Sequence, residues 1–183
     1  MAYIKTGIEE KGIRELLMYK PSTGEALLNL AQALLHGPSP IDKKNRELIA
    51  AYTSKLNQCE FCYESHKAAA IAHYQNEQEV NCILDQPFEY PQDNVLKLLF
   101  KIVEKVQKSG QMMTLSDIEF YNKNGVSDEM IHDTVLITAA FCMYNRYVDG
   151  LGAATLDHKK DYLPMGEKMA EQGYSRTSNI QNI

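Results

Sequence analysis

A glutamate, two cysteines and a histidine stand at fixed intervals in this chain: Glu47, then Cys59-Glu60-Phe61-Cys62, then His66, an E-x11-C-x2-C-x3-H arrangement. Two thiols this close in sequence can close a small disulfide ring, so redox chemistry is the first reading. His66 lies four residues beyond Cys62. If a helix opens at the motif, the thiol and the imidazole share one face, and the imidazole can take the thiol proton. The same helix start offers unpaired amide donors and the positive end of its dipole to a thiolate or a sulfenate.

The surrounding pattern supplies the helices that must hold these residues. Ile13, Leu16 and Leu17 follow helical spacing, as do Leu27, Leu28, Ala31, Leu34 and Leu35 before a stop at Gly37-Pro38. Ser39-Pro40-Ile41-Asp42 reads as N-cap, first-turn proline and early acid, opening a helix to Leu56 whose buried stripe is Leu48, Ala51 or Tyr52, and Leu56. Only Asn57-Gln58 separates it from a second helix, which starts near Cys59 and runs to Tyr74. The small residues Ala68 to Ala72 in that helix permit close approach by a neighbour, and Ala139-Ala140 matches them in size. Further helices are predicted over 77–85, 92–108, 115–124 after a Thr114-x-x-Asp117 cap, 128–149 and 164–172, with a frayed Ser/Asn/Gln end. No strand or internal repeat stands out, so the fold class is all-α.

Composition bounds the function. A chain of 183 residues suits one domain with a sizeable core. We expect a single helical domain over 1–183, with an N-terminal helical arm over 8–36 and a polar C-terminal tail over 153–183. The net charge of −5 and the scattered Lys and Arg argue against nucleic acid or an anionic membrane surface as partner. The longest apolar run, Val135 to Tyr144, is broken by Thr138 and too short to span a bilayer. The opening Met-Ala-Tyr-Ile-Lys-Thr-Gly carries no apolar signal core, and a cytoplasmic location is expected. Four cysteines, at 59, 62, 82 and 142, do not form a secreted disulfide framework.

Glu47, Cys59, Cys62 and His66 together resemble the redox motif of the alkylhydroperoxidase D-like branch of the carboxymuconolactone decarboxylase superfamily. A second match lies in Phe141-Cys-Met-Tyr-Asn-Arg-Tyr-Val-Asp-Gly-Leu-Gly152, which looks like the Asn-Arg-x-x-Asp-x-Leu-Gly segment of a peroxidase-related subgroup. The resemblance covers roughly residues 20–155. It implies an all-helical single-domain bundle that assembles into homo-oligomers (dimer, trimer or hexamer) and acts as a thiol peroxidase on hydroperoxide or disulfide substrates, with no cofactor. By the same resemblance Cys62 attacks, Cys59 resolves, His66 deprotonates Cys62, and Glu47 orients and polarises His66. The resulting disulfide would be re-reduced by an external dithiol, lipoyl-type or thioredoxin-like. The best-studied peroxidases of this family carry a histidine immediately before the second cysteine, where this chain has Phe61. A phenyl ring moves no protons and makes a pocket drier and more apolar.

Other readings stand beside this one. The chain could be a general disulfide oxidoreductase or a redox sensor without peroxide turnover. Cys59, Cys62 and His66 with Glu47 or His73 could instead ligate zinc, although three ligands packed so closely lack the second pair that structural zinc sites use. Cys82 and Cys142 read as buried small hydrophobes. His36 reads as a helix-end residue on the dipole, His73 as a helix-surface or subunit-contact residue, and His132 and His158 carry no motif. Asn145 is the expected pocket residue of its segment, beside Phe61. Arg146 and Asp149 are expected to pair at a helix end or between subunits, and Gly150 or Gly152 to supply a left-handed C-terminal turn. Tyr52 and Tyr144 are candidates for the same cavity or for the core.

Overall fold

Pro21 sets the first corner of the chain. Its ring disfavours helical geometry at the residue before it, and Lys20 takes φ −131° and ψ 86° between α1 (Ile13–Tyr19) and α2 (Pro21–His36). α2 stops where expected, at Gly37. The buried Arg46 guanidinium closes that end by donating to the Leu34 and Gly37 carbonyls at 2.9 and 3.0 Å. This computed structural model describes residues 2–174. Residues 175–183, where the frayed polar end was expected, lie outside the described residues.

α3 (Lys43–Leu56) begins later than the Ser39 cap predicts. Asp42 is its N-cap, while the Ser39 hydroxyl accepts from the Ile41 N–H at 3.1 Å and donates to Asp133 at 2.5 Å. A serine before proline closes a local turn as readily as it caps a helix, and the sequence pattern does not separate the two. The chain continues through α4 (Glu60–Tyr74), α5 (Glu77–Asp85), α6 (Asn94–Lys108), α7 (Leu115–Lys123), α8 (Asp128–Gly150) and α9 (Leu163–Gln172), with 3₁₀ turns at Gly110–Met112 and Lys159–Tyr162. No strand occurs among the described residues. The caps are local: Thr114 and Asp117 form a reciprocal capping box at α7, and Asn76, Asp93 and Ser127 each accept an amide at the start of α5, α6 and α8.

α3 is the central element. A stripe of Leu48, Ala51 or Tyr52, and Leu56 is too narrow a description, because every residue from Arg46 to Ser54 is buried and Leu56 only half-buried. A helix buried on all sides needs neighbours on all sides, and α3 packs against α4, α6 and α8. The main core joins Leu35, Leu48, Ile49, Phe100, Ile102, Ile137 and Phe141, and a smaller cluster of Cys59, Phe61, Cys62, Ala68, Val148 and Tyr162 surrounds the cysteines. No helix among the described residues is long and apolar enough to cross a membrane.

The partner of the small-residue face of α4 is α9 and not Ala139-Ala140. Ala139 is exposed and Ala140 packs in the main core. Gly166 meets Ala68 instead, so closely that a Cβ on Gly166 would lie 2.4 Å from the Ala68 carbonyl carbon. At the end of α8, Gly152 (φ 61°) provides the left-handed turn, and the Ala153 N–H returns to the Val148 carbonyl at 3.0 Å. Because backbone stands in the way at position 166, Gly166→Ala should cost about 1–3 kcal/mol by forcing α9 off α4. Urea denaturation measures this, and an unchanged midpoint would show that the two helices separate without penalty.

Candidate active site

Three residues connect α3 to α4, and their geometry places the cysteines. Gln58 sits in the left-handed region (φ 60°), its N–H bonded to the Lys55 carbonyl at 3.1 Å, and the Cys59 N–H reaches the Ser54 carbonyl at 3.0 Å. This double closure reverses the chain within one turn. Cys59 is thereby the N-cap of α4, and Cys62 its third helical residue. The first helical bond runs from the Tyr63 N–H to the Cys59 carbonyl at 2.9 Å, so the amides of Glu60, Phe61 and Cys62 stay outside the ladder at the positive end of the dipole.

The two thiols differ in environment. Both are buried, but Cys62 lines a cavity of about 630 Å³ and Cys59 does not. The Cys59 thiol is hydrogen-bonded to Cys62 and further to the Asp149 carboxylate; the Cys62 bond, with burial next, pushes it well above the ordinary thiol range. Cys59 is therefore held as a protonated donor beside the Cys62 sulfur. Asp149 thus lies beside the Cys59 thiol, and within the chain Arg146 donates instead to the Cys142 carbonyl at 3.0 Å.

Glu47 and His66 meet as the motif predicts in geometry. The Glu47 carboxylate is fully buried, and its Oε2 lies 2.8 Å from His66 Nδ1. An ionised carboxylate only accepts, so the ring proton belongs on Nδ1 and Nε2 keeps its lone pair. A third group completes the set. The Tyr174 hydroxyl donates to Glu47 Oε1 at 2.6 Å and lies 3.3 Å from His66 Nδ1. Burial first, then the Glu47 charge, raise the Tyr174 phenol far above its usual pKa, which keeps it a donor. The His66 ring stands edge-on to Phe141 (centroids 4.5 Å, 89°) and stacks on Tyr174 (5.9 Å, 19°), which fixes its orientation.

The cavity is open to Cys62 and His66 and walled mostly by apolar groups: Leu17, Leu27 and Ala31 from the N-terminal arm, Phe61, Phe141, Tyr144, and Met165 and Met169 of α9, with Arg14 and Lys168 among its polar residues. Phe61 is therefore a wall of this cavity. Asn145 is not among the residues that line it. Its buried amide donates to the Ser54 hydroxyl at 3.0 Å and accepts from Asn57 Nδ2 at 2.8 Å, pinning α8 to the end of α3 just before the cysteines. Tyr144 lines the cavity with its hydroxyl on the Leu27 carbonyl at 2.7 Å, whereas Tyr52 is bonded to Glu104 at 3.0 Å and packed on Phe100. Cys82 is half-buried, and Cys142 lies 3.4 Å from Asn57 Nδ2.

A zinc set of Cys59, Cys62 and His66 with Glu47 or His73 does not assemble: among the described residues, the group of potential ligands that comes together is His36, Glu47 and His73. The sequence reading missed Tyr174, Asp149 and Phe141 as members of the site. Tyr174 follows Gly173, whose left-handed φ of 72° turns the chain back after α9, and a lone aromatic in a polar stretch was the one available sign.

Two outcomes test this geometry. Iodoacetamide at neutral pH should modify Cys62 before Cys59, as read by peptide mass spectrometry, because only Cys62 faces the cavity and Cys59 retains its proton. Tyr174→Phe should lower stability by about 1–3 kcal/mol, since it strips a buried carboxylate of a donor. A phenol whose folded pKa is raised contributes stability that is complete below the unfolded value of about 10 and is lost as pH rises beyond it. Wild-type stability should accordingly decline above that pH, and the decline should be shallower in Tyr174→Phe.

Comparison with known proteins bears on the fold and on the segment that carries these residues. Residues 21–105 match the Carboxymuconolactone decarboxylase family. No curated protein matches. Among solved structures, an uncharacterised peroxidase-related protein from Ralstonia eutropha JMP134, described as an alkylhydroperoxidase AhpD core, superposes with a TM-score of 0.75 at 23% identity over 85% of this chain and 80% of its own. A second uncharacterised peroxidase-related protein, from Silicibacter sp. TM1040, gives 0.75 at 21% identity over 82% and 78%. A protein of unknown function from Agrobacterium tumefaciens, suggested to be an AhpD antioxidant defence protein, gives 0.67 at 20% identity over 84% of this chain and all (100%) of its own. Glu47, Cys59, Cys62 and His66 all lie in the segment that matches the carboxymuconolactone decarboxylase family, and that segment sits within an all-helical fold similar to that of the AhpD-like structures.

Proposed function

We propose that this chain is a thiol-dependent peroxidase that reduces apolar hydroperoxides through a Cys59–Cys62 disulfide. The observation that carries the reading is the convergence of Cys62 and His66 on one apolar cavity, with His66 held from behind by the buried Glu47 and Tyr174. The peroxidase-related names of the structural relatives support it.

The chemistry balances as follows. His66 Nε2 takes the Cys62 proton, and Glu47 stabilises the imidazolium that forms. The thiolate attacks the terminal peroxide oxygen: an S–O bond forms, the O–O bond breaks, and the departing alkoxide takes the proton from His66 and leaves as alcohol. Cys62 is now a sulfenic acid, with the α4 amides available to its oxygen. Cys59 then attacks the Cys62 sulfur, an S–S bond forms, and hydroxide leaves with the Cys59 proton as water, Asp149 being placed to carry that proton. An external dithiol, lipoyl-type or thioredoxin-like, reduces the disulfide and is itself oxidised to a disulfide. The exposed Leu136, Ala139 and Met143 along α8 offer a face for the expected homo-oligomer.

Stopped-flow oxidation of the reduced protein by a panel of hydroperoxides, with mass spectrometry of the product, tests the reading. Rapid formation of an intramolecular Cys59–Cys62 disulfide is expected, fastest with apolar peroxides. Disulfide formation only by exchange with small disulfides would favour a general oxidoreductase. Glu47→Gln should slow the peroxide step by ~10²–10⁴-fold, the range for lost general acid–base function. Phe61→His should raise turnover with small hydroperoxides and reduce the preference for bulky apolar ones; no change with any substrate, in a folded variant, would make a proton carrier at this position irrelevant.

A further inference from the structure

Behind Glu47, on the side away from the cysteines in sequence, two histidines from different helices converge. His36 ends α2, Glu47 lies in the second turn of α3, and His73 is in the last turn of α4. One ring nitrogen of each histidine and a Glu47 carboxylate oxygen lie within 4.8 Å of one another. Nε2 of His36 and Nε2 of His73 are both buried without a hydrogen-bond partner among the described residues. Buried imidazole nitrogens are ordinarily paired. Two unpaired ones beside a buried carboxylate are an arrangement that a bound cation would satisfy at once.

We propose that His36, Glu47 and His73 form a binding site for a first-row divalent transition-metal ion, with the remaining coordination position open. Two imidazoles and one carboxylate are a standard ligand set for such ions. Burial, the leading cause, holds both histidines below their ordinary pKa, so both are in the neutral form that ligates. Lys43 and Arg46 lie near enough to oppose a loosely held cation, which favours ions that bond strongly to nitrogen over Mg²⁺ or Ca²⁺. His73 also lines a surface cleft with Glu77, Glu167 and Glu171, an acidic approach for a cation.

The site shares Glu47 with the thiol centre. Each carboxylate oxygen has two lone pairs, so Glu47 can ligate while still accepting from His66 and Tyr174. A bound ion nonetheless neutralises the charge that supports the His66 imidazolium. Occupancy should therefore slow the Cys62 step, a consequence that rests on the peroxidase reading, whereas metal binding itself does not.

The experiment uses Zn²⁺ calorimetry and Co²⁺ absorption on the Cys59→Ser/Cys62→Ser protein, which removes the competing thiolates. One ion per chain is expected, and adding His36→Gln or His73→Gln should weaken binding about 100-fold or more. Paramagnetically shifted imidazole proton signals in the Co²⁺-loaded Cys59→Ser/Cys62→Ser protein read the two histidine ligands directly, without dependence on either histidine variant folding. No binding in the Cys59→Ser/Cys62→Ser protein, binding indifferent to both histidines, or the absence of those imidazole signals would overturn the site and leave the peroxidase reading standing. Zn²⁺ binding that leaves the oxidation rate of wild-type Cys62 unchanged would keep the site and overturn its coupling to the thiol centre.

Discussion

Burial of the Glu47 carboxylate is the constraint around which the active region is organised. A carboxylate removed from water carries a desolvation cost of several kcal/mol, and strong hydrogen bonds must offset it. Glu47 finds them in His66 Nδ1 at 2.8 Å and the Tyr174 hydroxyl at 2.6 Å. These partners come from α4 and from the chain just after α9, so one acidic side chain on α3 fixes the relative placement of three segments. The glycine contact between α9 and α4 follows from this need: Tyr174 reaches Glu47 only because α9 lies close against the alanine face of α4.

The thiols are governed by a second balance, between a dry environment and local donors. Apolar walls surround both sulfurs, while the start of α4 leaves its first amides outside the helical ladder and the Cys59 S–H keeps its proton beside the Cys62 sulfur. The tight α3–α4 turn makes this possible, because it puts Cys59 at the N-cap and Cys62 in the first helical turn, one behind the cavity wall and one facing the cavity. The turn has a cost of its own: Gln58 adopts a left-handed conformation that a side chain disfavours. Asn145 helps to hold it, joining Ser54 and Asn57 across the end of α3.

Where signals are local, the sequence carries the fold. Helical periodicity and the Thr114-x-x-Asp117 cap give the helices to within a few residues, and Gly37-Pro38 marks a corner through backbone chemistry alone. The Ser39 error has the same origin, since a local motif with two local outcomes is settled by a distant residue, Asp133. The pairing of Glu47 with His66 was legible because both lie on adjacent helices joined by a fixed short turn. Tyr174 and Asp149 were not, because their contacts cross 127 residues to Glu47 and about half of the chain to Cys59. The same limit misplaced Asn145: its spacing put it near the cysteines, but only the packing of α8 decides whether an amide faces the cavity or the turn.

Phe61 shows how packing shapes the wall of the cavity beside Cys62. Its ring fills the space beside Gly12, where a Cβ would come within 1.9 Å of the Phe61 ring, and it stands 5.8 Å from the Tyr162 ring. Gly12 has φ 64°, a conformation that also favours glycine. The N-terminal arm is thus shaped to accept an aromatic ring at position 61, and that ring forms part of the cavity wall beside Cys62. That side chain carries no proton donor or acceptor, whereas the His66 imidazole on the same cavity is backed by Glu47 and Tyr174. Under the proposed function Cys62 depends on the orientation of one imidazole, and that ring is held by Glu47, Phe141 and Tyr174 together.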